Sequence, residues 1–473
     1  MGEPPGFLCD SQSEAWSRRK LRETLRARAA SRGFGSVGHI PPLPRSLLPL
    51  TASIAGDGRL SLGGVDVLDL AEEHGTPLFV YDEDHIRARC REAVGAWGGD
   101  VAYASKAFLC RAMAALAHEE GMCIDVSTGG ELHVAMAAGV PAHRLVLHGN
   151  NKSQAELATA IEAGVGRIVI DSFDEIDRLE RLCGEAPCPT TGSAARSARQ
   201  PVLVRVTPGV VAHTHEYVMT GQADSKFGFG LASGAAAEAL ERVRRLPGLE
   251  LVGIHAHIGS QVFVTTSFVK EVEALAPFVL AAGLPELNVG GGLGVAYVEG
   301  EGAPSIAEWA AAVRAACEEN GIAERVRLTA EPGRAIVATA AVTLYRVGTI
   351  KQLPGIRTYV SVDGGMSDNP RPVLYGSGYE AFLPRATLAE RARVVTVVGK
   401  HCESGDVIVR DAHVPEDLTV GDVLATPVTG AYGHSMASTY NKSPRPAVLF
   451  VSDGRARVVV RRETFQDLLL LDQ

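Results

Sequence analysis

The chain has 473 residues, more than one ordinary domain holds, so it implies two domains or a large barrel with a second domain attached. With 46% hydrophobic and 21% charged residues it can build a sizeable core, and a net charge of −9 argues against nucleic-acid or anionic-membrane partners, which need a basic face. No run approaches the roughly 18 continuous apolar residues of a membrane span, so none is expected.

Residues 1–55 read as a disordered leader. The basic run Arg18-Arg19-Lys20-Leu21-Arg22 passes into a Gly/Pro-rich stretch through Pro49, without the apolar core of a secretory signal. Glu3, Asp10, Glu14 and Glu23 count against a transit peptide. Residues 56–95, with Leu78-Phe79-Val80-Tyr81, read as a segment that contributes to a β domain and then leads into a barrel.

Across 96–335 a short apolar run, a polar or glycine-rich loop and a helix-like stretch recur. The predicted strands are 101–105, 122–126, 144–148, 166–170, 202–206, 251–256, 286–290 and 326–330; helices include 130–138, 154–163, 235–246, 266–282 and 306–320. Strands alternating with helices imply parallel pairing, and eight in this length suit a closed (β/α)8, TIM-like barrel. An open doubly wound sheet is the competitor, weakened because Ser105-Lys106 stands where its Gly-x-Gly-x-x-Gly turn belongs. Residues 183–200 read as a surface loop and 211–230 as a long, lid-like one. From 336 to 473 alternating runs at 341–350, 357–363, 393–399, 406–410, 423–426, 446–451 and 456–460 predict a mostly β second domain. The eight cysteines, Cys9, Cys90, Cys110, Cys123, Cys183, Cys188, Cys317 and Cys402, have no metal-ligand spacing; they read as reduced and the compartment as cytoplasmic.

A barrel should carry its chemistry just after the strands, at their C-terminal face. There stand Lys106, Asp125, His148, His257-Ile258-Gly259-Ser260, Gly290-Gly291-Gly292 and Glu331-Pro332-Gly333-Arg334. The chain has only eight lysines, and Lys106 ends an apolar run; an arginine there could neither lose its proton nor form an imine. The glycine triplet lets backbone N–H groups approach a phosphate, and Ser260 adds a hydroxyl. A reactive lysine beside a phosphate site points to pyridoxal phosphate, with Glu331 placed to keep the pyridine nitrogen protonated and His257 to lie on the ring.

These residues lie in longer motifs: YASKA (103–107), HTHEYVMTGQADSKFGFG (213–230), HIGSQ (257–261), GGGLG (290–294), AEPGR (330–334), DNPRPVLY (368–375), HCESGD (401–406) and GAYGHSMASTYN (430–441). Over roughly 60–460 the chain resembles the fold type III, alanine racemase-like pyridoxal-phosphate decarboxylases, and within them the diaminopimelate decarboxylase family. The resemblance implies that Lys106 carries the cofactor as an imine, His257 stacks on it, Ser260, Gly291 and Gly292 hold its phosphate, and Glu331 pairs with the pyridinium. Gly333, Arg334, Tyr432 and, from the wider fold, Asp125 complete the cofactor set. Arg334, Arg371 and Tyr375 would fix substrate carboxylates, with Tyr432 also within reach. The resemblance further implies a homodimer with shared sites, in which Cys402 is the proton donor and Glu403 binds the distal ammonium group of the amino-acid substrate. The expected reaction is decarboxylation of meso-2,6-diaminopimelate to L-lysine. A decarboxylase of ornithine, arginine or a carrier-bound amino acid, or a non-catalytic cofactor-binding protein, is the alternative.

Overall fold

The computed structural model describes residues 42–183, 199–210 and 224–473. Eight parallel strands, Ala102–Ala104, Cys123–Val126, Leu145–Leu147, Arg167–Ile170, Gln200–Thr207, Leu249–His255, Glu286–Asn288 and Arg327–Thr329, pair in chain order. The ring closes where Ala102 N donates to Ala330 O at 2.9 Å and Ala104 N to Pro332 O at 3.1 Å. The doubly wound alternative is therefore wrong. Two of the crossover helices start from capping boxes the sequence offers: Ser153 and Glu156 at Gln154–Ala163, and Ser305 and Glu308 at Ile306–Glu319.

The second sheet runs Val407–Val414, Arg393–Val398, Arg357–Val362, Ala341–Leu353, Leu78–Asp82, Ala447–Ser452, Arg455–Val460, with Val423–Pro427 also pairing to the long Ala341–Leu353 strand. Leu78–Asp82 is buried at every position, as a central strand must be, so the segment before the barrel completes the sheet built after it. Among the described residues no helix is long and apolar enough to cross a membrane.

Three readings need correction or restriction. Residues 42–55, assigned to a disordered leader, are ordered: Leu43, Leu47, Leu48 and Ala52 are buried, and Leu50 N and Thr51 N donate to His85 Nδ1 and Asp82 Oδ2 at 2.9 and 2.8 Å. Their proline-rich composition masks enough leucine to dock. The expectation of eight reduced cysteines fails at Cys183, which is disulfide-bonded; absence of metal-ligand spacing says nothing against a bridge, which needs only two cysteines within reach. Residues 1–41, 184–198 and 211–223, which hold the rest of the leader and most of the two predicted loops, lie outside the described residues.

Candidate active site

Strand alternation places the site. Ala102, Cys123, Val146, Val169 and Leu203 form a small cluster of their own with Val252 inside the barrel. Two residues further along, the same face carries Ala104, Asp125, His148 and Arg205, which line a cavity of about 330 Å³. An apolar plug thus floors a polar cavity.

Lys106 stands on a single turn, Ser105–Ala107, directly after the first strand and exposed to the cavity. The β domain holds that turn from outside: Tyr432 N and Ser435 Oγ both donate to Ala107 O, at 2.8 and 2.9 Å. Tyr432 does so from φ +59°, a left-handed conformation that costs a bulky residue about 1–2 kcal/mol. Strain at this position is offset by the contacts it secures.

Glu331 is the electrostatic centre. Its carboxylate accepts from His255 Nε2 at 3.0 Å and Asn288 Nδ2 at 2.8 Å, and lies 2.8 Å from His148 Nε2. Burial opposes its charge, but the two histidines hold it well below the usual carboxylate range. His148 carries the balancing charge: burial works against protonation there, yet Asp125 and Glu331 raise its pKa. Burial pushes His255 down to about 4, so it contributes as a neutral N–H donor rather than a cation. Asp125 is raised to about 6, chiefly by burial. His148, His255 and Glu331 would also be near enough to bind a metal ion, all within 4.8 Å. Both carboxylate oxygens are already engaged, so the trio reads instead as a hydrogen-bonded anion.

At the far end, His257 Nδ1 accepts from Gly291 N at 3.0 Å, and burial followed by the Lys106 charge keeps the imidazole neutral. A Cβ on Gly292, at φ +109°, would lie 2.0 Å from Gly259 O; one on Gly333 would meet Ala104 at 2.9 Å. Only glycine lets the loops after strands six, seven and eight approach this closely.

Arg334 donates through Nη2 to Ser260 Oγ at 2.8 Å and through Nη1 to Tyr297 OH at 2.7 Å. Arg371, from the short helix Arg371–Tyr375, lies over the Tyr297 ring at 4.1 Å and donates to Tyr379 OH at 2.6 Å. Burial opposes its charge, but the Tyr379 and Tyr297 phenols raise its pKa, so it remains a guanidinium.

The residues fit pyridoxal phosphate. They offer an amine, an ionised buried carboxylate, a flat neutral imidazole, and a hydroxyl with glycine backbone and arginine. Buried polar atoms of the lining residues, Asp125 Oδ1 and Arg334 Nε among them, have no hydrogen-bond partner, as expected where a polar molecule is to bind.

Every predicted cofactor residue, Lys106, Asp125, His257, Ser260, Gly291, Gly292, Glu331, Gly333, Arg334 and Tyr432, lines this one cavity. Arg371 is joined to it through Tyr297, whereas half-buried Tyr375 does not line it. Cys402 and Glu403 do not line it either; they are exposed on the loop between Arg393–Val398 and Val407–Val414. Sequence reasoning missed Arg205, Tyr297 and Tyr379, and gave His148 and His255 no role. Residue parity from the inward-facing Leu203 would have found Arg205. The tyrosines carry no local signal, since their meaning depends on two arginines distant in sequence.

Residues 83–338 match the family described as pyridoxal-dependent decarboxylase, pyridoxal binding domain. The chain is 47% identical over 434 residues to the diaminopimelate decarboxylase of Mycobacterium tuberculosis, covering 88% of this chain and 95% of that one. The chain belongs to the diaminopimelate decarboxylase family. The Bacillus subtilis diaminopimelate decarboxylase is 46% identical, again over 88% of this chain and 95% of that one. Among solved structures, the diaminopimelate decarboxylase of M. jannaschii in complex with L-lysine superposes with a TM-score of 0.79 at 32% identity, covering 90% of this chain and 98% of that one. The Helicobacter pylori diaminopimelate decarboxylase complexed with L-lysine gives 0.75 at 32%, covering 86% and 99%. This diaminopimelate decarboxylase family member is thus a pyridoxal-phosphate-dependent carboxy-lyase of the fold type III architecture, as the motifs imply.

Proposed function

We propose that this chain converts meso-2,6-diaminopimelate to L-lysine and carbon dioxide, as a cytoplasmic homodimer whose subunits share their active sites. The carrying observation is the convergence of two buried arginines, Arg334 and Arg371, on one tyrosine beside the cavity of Lys106 and Glu331. A pair of guanidinium groups beyond the reactive amine suits a substrate with a second carboxylate, which ornithine and its decarboxylation product lack at that end. Cytoplasmic location is supported by five free thiols among the described cysteines.

When bound, pyridoxal phosphate supplies an electron sink for the pair left behind as carbon dioxide departs. Lys106, which lines the cavity, would provide the amine that holds the cofactor. Glu331, ionised and braced by His148, His255 and Asn288, would hold a proton at the cofactor's ring nitrogen. Neutral His257 would lie against the cofactor ring, while Ser260, Gly291 and Gly292 would hold its phosphate and Gly333 keeps the loops close enough for them to do so. Asp125 and Tyr432 line the same cavity as Lys106. Arg334, Arg371 and Tyr375 grip the distal carboxylate and Glu403 the distal ammonium. Cys402 Sγ–H would give a proton to the carbon that lost its carboxylate: the C–C and S–H bonds break, one C–H bond forms, and the thiolate takes a proton back from solvent. Cys402 and Glu403 do not line their own cavity and lie exposed on a loop, which suits delivery to a partner's site.

The test is carbon dioxide release from meso-2,6-diaminopimelate, L-ornithine and L-arginine under identical conditions. Diaminopimelate should be turned over far faster. Faster turnover of either alternative overturns the substrate assignment.

A further inference from the structure

Arg334 and Arg371 come from different domains, one after the last barrel strand and one from the β domain, and each is at least nine-tenths buried. Two guanidinium groups confined together repel each other unless something of opposite character lies between them. That position belongs to Tyr297, itself 3% exposed. Its ring face lies 4.1 Å from the Arg371 guanidinium carbon, and its hydroxyl accepts from Arg334 Nη1 at 2.7 Å. The same ring centroid is 5.8 Å from the Arg334 guanidinium carbon. Tyr379 stands edge-on to Tyr297, with centroids 5.3 Å apart and planes at 81°, and accepts from the other side of Arg371. Tyr297 is held in turn by its own backbone N–H, which donates to Glu301 Oε2 at 2.9 Å. One tyrosine therefore offers a π face to one cation and an oxygen to the other.

We propose that Tyr297 is a positioning residue that fixes Arg334 and Arg371 at a spacing one carboxylate can bridge, and so makes the site selective for a carboxylate at the end of the substrate remote from the reacting carbon. This deepens, and rests on, the reading of the substrate given above. Tyr297 need not touch the reacting atoms. Its effect travels through the arginines, so it should alter binding of carboxylate-bearing ligands and leave others alone.

The experiment compares the wild-type holoenzyme with Tyr297→Phe, which keeps the ring but removes the oxygen, and Tyr297→Leu, which removes both. Three quantities are read: kcat and KM for meso-2,6-diaminopimelate, inhibition constants for L-lysine and for 1,5-diaminopentane, and cofactor affinity by absorbance titration. The two inhibitors differ only by the carboxylate. Losing a hydrogen bond to a charged group corresponds to about a ten-fold change. Tyr297→Phe should accordingly raise KM and the L-lysine constant about ten-fold, Tyr297→Leu more, with kcat, diaminopentane inhibition and cofactor affinity changed less than about three-fold. Equal weakening of both inhibitors, or of cofactor binding, makes Tyr297 merely structural and overturns the proposal. So does an unchanged L-lysine constant in Tyr297→Phe, which is close enough in shape to fold even where Tyr297→Leu fails. If the wild type itself binds L-lysine no better than the diamine, the substrate reading fails first and this inference with it.

Discussion

Glu271 offers a prediction whose size follows from its surroundings. It lies in the helix Thr265–Ala282, is 0% exposed, and neither carboxyl oxygen has a hydrogen-bond partner. Burial alone pushes its pKa well above the ordinary carboxylate value. In the unfolded chain the group ionises near pH 4.3, so above that pH only the folded state retains the proton. Stability is thus fully present below the unfolded pKa and is lost as pH rises toward the folded one. Keeping the proton costs roughly 1.36 kcal/mol per pH unit, up to about 3.7 kcal/mol at pH 7. Glu271→Met removes that cost with little change in volume, and we expect a gain of about 2–3 kcal/mol at pH 7 after some loss to imperfect fit. At pH 5 the recoverable cost shrinks to about 1 kcal/mol. For 473 residues the unfolding entropy is about 1 kcal/mol per kelvin, which makes the neutral-pH gain about 2–3 °C in Tm. Thermal melts of both proteins at pH 5 and 7 provide the assay. A gain independent of pH, or a loss at pH 7, refutes the reasoning.

Other outcomes follow from the same structure. Glu331→Gln removes the charge that the His148, His255 and Asn288 contacts serve, and should lower kcat about 100-fold at saturating cofactor, the equivalent of one charge-assisted hydrogen bond; steady-state kinetics beside an unchanged circular dichroism spectrum check it. Lys152 and Glu175 form a buried ion pair at 2.7 Å, and Lys152 also donates to Gly149 O and Val169 O. Lys152→Met should cost about 3–5 kcal/mol in urea denaturation by stranding Glu175, and the added Glu175→Leu change should restore much of it. If sites are shared across a homodimer, mixing inactive Lys106→Ala with inactive Cys402→Ala should return about a quarter of wild-type activity once subunits exchange. No recovery despite exchange removes the shared-site reading.

The barrel was legible because its period is local. The helix Gln154–Ala163 begins after a Ser-x-x-Glu box and ends at Gly164, so both ends can be read directly. The cofactor residues were legible because a barrel sends the end of every strand to one face, so Lys106, His257 and Glu331 need only follow strands. What local pattern cannot carry is pairing across the chain. That Tyr432 braces the Lys106 turn, or that Tyr297 joins Arg334 to Arg371, depends on two domains meeting. Residues 42–55 failed for a related reason: composition describes a segment in isolation, and the partners that order it, Asp82 and His85, lie some thirty residues on.

The central claim is that pyridoxal phosphate is bound through Lys106. Reduction of the cofactor-loaded enzyme with borohydride fixes the lysine linkage irreversibly, and peptide mass spectrometry then locates it among the eight lysines. The pyridoxyl group should be found on the peptide containing Lys106 and be absent from Lys106→Ala. A label on any other lysine, or none on the loaded and active enzyme, contradicts the account.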